Sequence, residues 1–195
     1  AFDASETPSH SIESAAPSAR AEDASYLFFT SGSTGTPKGV VIYQKNGPNL
    51  LQWLRFSDFS AGSRDVFLWQ SSISFDMLPV VLFWSLHTSS QVCVIDDGIE
   101  VVPRKLLSIM KRSQVSFLLV VPSHFDVILS EVEQPDDVKD VRLLKFGGER
   151  VSARLLKQCK EVLPNNSSIW NGFGPTETTS FVSLFEATTE RAEKC

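Results

Sequence analysis

Ser116-Phe117-Leu118-Leu119-Val120-Val121, followed at once by Pro122-Ser123-His124-Phe125, is the stretch that decides the fold. A nearly continuous apolar run of this length reads as a strand covered on both faces, as in the interior of a parallel sheet. Pro122 is tolerated in the first turn of a helix, and Phe125, Ile128, Leu129 and Val132 then follow helical spacing. The same strand-then-helix grammar extends outward in both directions. Upstream, residues 65–69 read as a strand and 77–86 as a helix apolar on most faces, with Pro79 in its first turn. Residues 91–95 read as a strand, and Pro103 opens a helix with Leu106, Leu107 and Met110 on one side. Downstream come a strand at 141–146 and a helix capped by Ser152 that buries Leu155, Leu156, Cys159, Val162 and Leu163. A strand at 168–170, a loop at 172–176 and a last strand at 181–185 complete the series. Alternation at this spacing predicts an α/β fold, a largely parallel sheet with flanking helices. Before it, residues 26–30 and 40–43 are β-branched and aromatic and are joined by a short Gly/Ser/Thr loop, which predicts a hairpin. Residues 1–24 are rich in Ser, Ala, Pro and Glu and read as a disordered linker, leaving 25–195 as the folded part.

Composition narrows the function. The chain has 195 residues, 42% hydrophobic and 21% charged, with a formal net charge of −5. Lys and Arg form no basic stripe, so nucleic acid is not an expected partner. The longest apolar run, 77–84, falls short of the roughly 20 residues that span a bilayer, so no membrane partner is expected either. The start carries no signal-peptide pattern, and Cys93, Cys159 and Cys195 are odd in number with no metal-ligand spacing. A cytoplasmic location with reduced thiols is the expectation. The chain does not begin with Met, and a fragment of a longer protein is expected.

The chemistry concentrates in the loops that follow strands, where open α/β sheets bind ligands. In Thr30-Ser31-Gly32-Ser33-Thr34-Gly35-Thr36-Pro37-Lys38-Gly39, three glycines let the backbone turn its N–H groups toward one point, making a nest for an anion. Hydroxyls add donors and Lys38 a mobile charge, which together suit a polyphosphate. This is not a Walker loop: Pro37 stands where the second glycine would be, Lys38 precedes Gly39 rather than Ser or Thr, and the loop leads into a strand. Two further loops share the trait, Phe146-Gly147-Gly148-Glu149 and Asn171-Gly172-Phe173-Gly174-Pro175-Thr176-Glu177-Thr178-Thr179.

In order and separation these three segments resemble the signatures of the adenylate-forming superfamily of acyl-CoA synthetases, luciferases and peptide-synthetase adenylation domains, over about residues 26–185. The resemblance implies part of the large N-terminal domain of such an enzyme, using ATP and Mg²⁺. It implies that Thr30, Ser31, Gly32, Ser33, Thr34, Gly35 and Lys38 hold the β- and γ-phosphates. Gly147, Gly148 and Glu149 would edge the adenine pocket, with Asn171, Gly172 and Gly174 in the nucleotide motif. Phe173 would stack on the base, although a core aromatic is its other reading. Thr176 would meet the α-phosphate and Glu177 the metal, leaving Lys38, Thr176 and Glu177 as the catalytic set. The family's later ribose-binding Asp motif, hinge and small C-terminal lid domain have no match, so residues 25–195 are expected to be a partial domain with little activity alone.

Ser72-Ile73-Ser74-Phe75-Asp76 resembles the peptide-synthetase segment whose Asp pairs with the substrate α-ammonium, which favours an amino acid over a fatty acid. N-capping the next helix is the alternative reading of Asp76. The family's remaining pocket positions carry over as Val80, Val120, Leu144, Phe146, Gly172, Ser180 and Phe181, suiting an uncharged, hydrophobic amino acid. The acyl acceptor implied is a carrier-protein phosphopantetheine thiol or CoA. An acyl- or aryl-CoA ligase fragment and an inactive nucleotide-binding remnant are the competing readings.

Overall fold

The structure, a computed structural model, describes residues 19–31, 35–56, 61–96, 98 and 101–194, so most of the expected linker lies outside the described residues. The chain opens with the expected hairpin, β1 (Ala24–Thr30) antiparallel to β2 (Lys38–Tyr43), which forms a two-stranded sheet of its own. α1 (Asn46–Phe56) follows and was not foreseen, because Gly47 and Pro48 mask its first turn; Leu50 and Leu54, four apart, are the residues it buries.

The main sheet has six strands: β3 (Val66–Trp69), β4 (Gln91–Val94), β5 (Phe117–Val120), β6 (Leu143–Phe146), β7 (Ser168–Phe173) and β8 (Ser183–Glu186). Their spatial order is β4-β3-β5-β6-β7-β8, all neighbours parallel except β8, which returns antiparallel to β7 at the edge. Between them lie α2 (Leu78–Thr88), α3 (Pro103–Arg112), α4 (Pro122–Leu129) and α5 (Ala153–Val162), with α6 (Thr189–Lys194) last. The prolines at 79, 103 and 122 sit in first turns as expected, and the Ser152 hydroxyl accepts from the Leu155 N–H at 3.1 Å as the N-cap of α5.

Strand alternation divides the core in two. Leu118, Val120, Leu144 and Phe146 pack with Leu106, Met110, Phe125 and Leu156 of α3, α4 and α5. Phe67, Phe117, Leu119 and Leu143 pack with Leu54, Val81 and Trp84 of α1 and α2, where the rings of Phe67 and Phe117 stack at 4.0 Å between centroids. Direction reverses once in the strand order, between β3 and β5, and the two share the single pair Phe67–Phe117 before they diverge. A crevice at such a reversal, beyond the carboxyl ends of the strands, is where this architecture binds ligands.

Candidate functional site

The groups singled out in the sequence surround that end of the sheet. Thr30 and Lys38 pair across the hairpin and close the Gly/Ser/Thr loop, with a long contact of 3.5 Å from the Thr30 hydroxyl to the Lys38 carbonyl. Ser31 and Lys38 are exposed, and Gly35 has φ +82°, which suits glycine. Gly32, Ser33 and Thr34 lie outside the described residues. β2 touches the 3-10 turn Thr176–Thr178, so the first and third motifs are adjacent in space.

The strand expected at 168–170 runs on through Phe173, so Asn171, Gly172 and Phe173 belong to β7 rather than to the loop after it. Glycine at 172 does not end the ladder, because β8 supplies partners on the far side, Leu184 for Gly172 and Ser183 for Phe173. The loop itself is tightly determined. Thr179 and Ser180 both adopt left-handed backbone, φ 65° and 73°, an uncommon conformation for non-glycine residues that clusters at functional sites. Phe173 is 66% exposed, so its ring is no core aromatic. Glu177 is exposed, and Thr176 is half-buried.

Asp76 does not cap α2. The N-cap is Met77, with no side-chain cap bond among the described residues, and the Asp76 carboxylate instead accepts the Thr176 hydroxyl at 2.7 Å. The Ser180 hydroxyl donates to the Asp76 carbonyl at 2.6 Å, so two bonds tie the start of α2 to the loop after β7. Burial, and secondarily the charge of Asp76, push the Tyr26 phenol up to about 12, which puts β1 beside the same carboxylate. Glu149, expected at the adenine edge, is held by the neighbouring helix. Its carboxylate accepts from the Ser123 N–H at 3.0 Å and the Ser123 hydroxyl at 2.8 Å, fastening the β6–α5 loop to the first turn of α4. Gly148, at φ +80°, makes the turn that lets it do so.

The residues predicted for the side-chain pocket fall on two faces of the sheet. Val120, Leu144 and Phe146 pack into the core beneath α3, α4 and α5, whereas Val80 and Phe181 belong to the opposite face with Met77. Val80 also lines an apolar cavity of about 200 Å³ with Tyr26, Leu50, Pro79, Phe83 and Thr179. Successive strand residues point to opposite faces, so an error of one position in β6 moves the whole set across the sheet. The residues that do come together are Met77, Gly147, Gly172, Phe181 and Lys145. A Cβ on Gly147 would lie 3.4 Å from Met77 Cε and 3.7 Å from the Phe181 ring, and one on Gly172 would lie 2.7 Å from Lys145 Cε. Lys145 and Met77 were missed. The signal that could have found Lys145 was a lone cation in the otherwise apolar strand Leu143-Leu144-Lys145-Phe146, a residue type almost never fully buried unless paired.

Among the described residues no group of three or more His, Cys, Asp or Glu could hold a metal by itself, and no helix is long and apolar enough to cross a membrane.

A family model described as AMP-binding enzyme matches residues 2–195. Tyrocidine synthase 2 of Brevibacillus parabrevis is 31% identical over 168 residues, 86% of this chain and 5% of that protein. The D-alanine--D-alanyl carrier protein ligase of Bacillus licheniformis is 32% identical over 174 residues, 89% of this chain and 34% of its own. Among solved structures, the Vibrio cholerae adenylation domain AlmE in complex with glycyl-adenosine-5'-phosphate matches with a TM-score of 0.77 at 22% identity, over 87% of this chain and 31% of that one, a likeness of fold. The chain thus spans 5% and 34% of the lengths of the two sequence relatives.

Proposed function

The chain belongs to the AMP-binding enzyme family, and on that footing we propose that it supplies the nucleotide- and substrate-binding part of an enzyme that activates an amino acid as its acyl-AMP, releasing pyrophosphate. The observation that carries this reading is the 2.7 Å hydrogen bond from Thr176 to Asp76, which joins a phosphate-motif hydroxyl to the carboxylate suited to an α-ammonium. Reactants held at those two points would be neighbours, as an in-line attack of the acid on the α-phosphorus requires.

Each residue then has a task. Lys38 and the backbone N–H groups of the Gly/Ser/Thr segment before it would neutralise the β- and γ-phosphates and the departing pyrophosphate. The exposed Phe173 ring would take the adenine face. Asn171 Oδ1 is buried with no hydrogen-bond partner among the described residues, an acceptor suited to an amino group on the base. Gly147 and Gly148 would leave the nucleotide room beside β6. Glu177 offers Mg²⁺ one hard carboxylate oxygen, which fits an ion that takes its other ligands from phosphate and water. When bound, the ion would neutralise charge on the phosphates. The activated acyl group would pass to a carrier-protein phosphopantetheine thiol or to CoA.

The test is carboxylate-dependent exchange of pyrophosphate into ATP by the full-length polypeptide. Exchange with amino acids supports the reading; exchange confined to fatty or aromatic acids moves the protein to the CoA ligases. Nucleotide binding without exchange would make it an inactive remnant. One consequence concerns Thr176. Its hydroxyl has one proton, which it donates to Asp76, so a bound ammonium on Asp76 would release it to the α-phosphate. Thr176→Val, which keeps the shape and removes the hydroxyl, is expected to lower kcat/KM for exchange about tenfold, the worth of one hydrogen bond to a charged group.

A further inference from the structure

The apolar cavity of about 200 Å³ lies where the hairpin, α1 and α2 meet, walled by Tyr26, Leu50, Leu51, Val80 and Phe83 and completed by Thr179 from the loop after β7. Among the described residues no Asp, Glu, Lys, Arg or His lines it. Three of its lining residues are linked to Asp76 by separate routes. Val80 stands four residues after Asp76, and the chain between them already turns helically: the Leu78 N–H donates to the Phe75 carbonyl at 3.0 Å and the Val81 N–H to the Met77 carbonyl at 3.3 Å. Thr179 donates its N–H to the Thr176 carbonyl at 3.1 Å, and Thr176 donates its hydroxyl to the Asp76 carboxylate at 2.7 Å. Tyr26 is the third, its phenol raised first by burial and then by the charge of Asp76. The cavity therefore adjoins the carboxylate proposed to bind the ammonium of the acid. Of the positions that the family resemblance implied for a side-chain pocket, Val80 alone borders it.

We propose that this cavity between the hairpin, α1 and α2 receives the side chain of the acid, and that the preferred acid is an amino acid with a large, uncharged, apolar side chain, a benzyl group or an aliphatic chain near it in size. The inference rests on the proposed amino-acid activation and names its substrate class. Asp76 would receive the α-ammonium while the α-carboxylate is directed at the nucleotide, and the side chain would enter between α1 and α2. Size and polarity of the walls set the preference. A dry apolar cavity of about 150 Å³ takes up a benzene ring, so the volume here suffices for a six-membered ring. A methyl group would leave much of the space empty and forgo its dispersion contacts. A charged side chain would lose its water without meeting a counter-charge. Leu50 is buried and Phe83 is 40% exposed, which gives the cavity a fixed floor and a wall that can be altered without disturbing the core. Leu51 and Phe83 are thus specificity-determining residues that the sequence did not single out.

The experiment is pyrophosphate exchange by the full-length polypeptide with phenylalanine, leucine, tryptophan, alanine, aspartate and lysine, for the natural protein and for Phe83→Ala and Leu51→Phe. Phe83 is exposed and Leu51 half-buried, so neither change cuts into the core; thermal melts establish that the variants fold, and should one not fold, the other decides. The expected result for the natural protein is a kcat/KM with phenylalanine or leucine about 100-fold above that with alanine, aspartate or lysine. Phe83→Ala widens the cavity and should raise tryptophan relative to phenylalanine about tenfold. Leu51→Phe narrows it and should lower phenylalanine relative to alanine by about the same factor. General damage to the fold would not move the two variants in opposite directions. Preference of the natural protein for alanine or a charged acid, or ratios among amino acids unchanged in the folded variants, overturns the inference and leaves amino-acid activation standing. A uniform loss with every amino acid also overturns it, because these walls would then serve the part of the substrate that all of them share. Absence of exchange with any amino acid removes the activation reading and this inference with it.

Discussion

Gly174→Ala is expected to open the loop after β7, costing about 3 kcal/mol of stability and at least about 100-fold in exchange activity. A Cβ at this position would stand 2.5 Å from the Ser180 carbonyl oxygen, 2.6 Å from Phe181 Cα and 2.8 Å from the Ser180 carbonyl carbon. All three are backbone atoms, so no rotamer change relieves the contact. The opposing backbone is itself held, by the Ser180 hydroxyl on the Asp76 carbonyl and by the Val182 N–H on the Phe173 carbonyl at 2.9 Å. Moving it would detach Asp76 from the loop that carries Thr176. At Gly172 in the same motif a Cβ would meet side chains rather than backbone, Lys145 Cε at 2.7 Å and Phe181 Cδ1 at 3.1 Å, so Gly172→Ala is expected to cost less than Gly174→Ala. Urea denaturation together with exchange measures both effects. A Gly174→Ala protein with unchanged midpoint and activity would mean that the loop is not packed as described.

Asp65→Ala is the second large loss, about 3 kcal/mol, and lies at the opposite end of the sheet. Asp65, just before β3, is 6% exposed. Its carboxylate accepts from Arg142 Nε at 3.1 Å and Nη2 at 2.5 Å, from the Ser116 hydroxyl at 2.8 Å and from the Gly62 N–H at 2.7 Å. The Ser116 oxygen in turn accepts the Val66 N–H at 2.9 Å, so one carboxylate joins the amino ends of β3, β5 and β6. Burial alone would raise the Asp65 carboxyl, but the bonds from Arg142, Gly62 and Ser116 and the Arg142 charge outweigh it, and the net shift is downward. A carboxyl lowered on folding contributes stability that is fully present above its unfolded pKa, near about 3.9, and is lost as pH falls through the lower folded value. The natural protein should therefore lose stability on acidification below about pH 4, and Asp65→Ala should lack that component. Urea midpoints measured from neutral to acid pH check both the size and the slope. Parallel curves for the two proteins would rule out this carboxylate as a source of acid sensitivity.

The fold was legible where local chemistry and burial agree. Apolar runs gave the interior strands, first-turn prolines opened α2, α3 and α4, and Ser152 capped α5. α1 was not legible, because its first turn carries two residues that normally end helices and its burial rests on two leucines. The hairpin and the three glycine loops marked the candidate site, since nests and tight turns are written in residue type. Which face each β6 side chain takes was not legible for a specific reason. All four residues of β6 are buried, so no polar alternation marks which face is which, and a reading one residue out of register looks equally apolar. The contact between Asp76 and Thr176 is likewise a product of tertiary structure, because nothing in either segment names the other.

That contact also sets a timetable. It joins residues 100 apart in the chain, whereas β5, β6, β7 and β8 lie side by side in sequence order. Short closures cost less entropy than long ones, so this run of strands can zip outward early while β3 waits for β5 to be made before it has a central partner. The two halves of the site would then meet among the final events of folding. Partly folded molecules would carry the glycine loop after β7 without the Asp76 carboxylate, and the candidate site would be assembled only with the last closure.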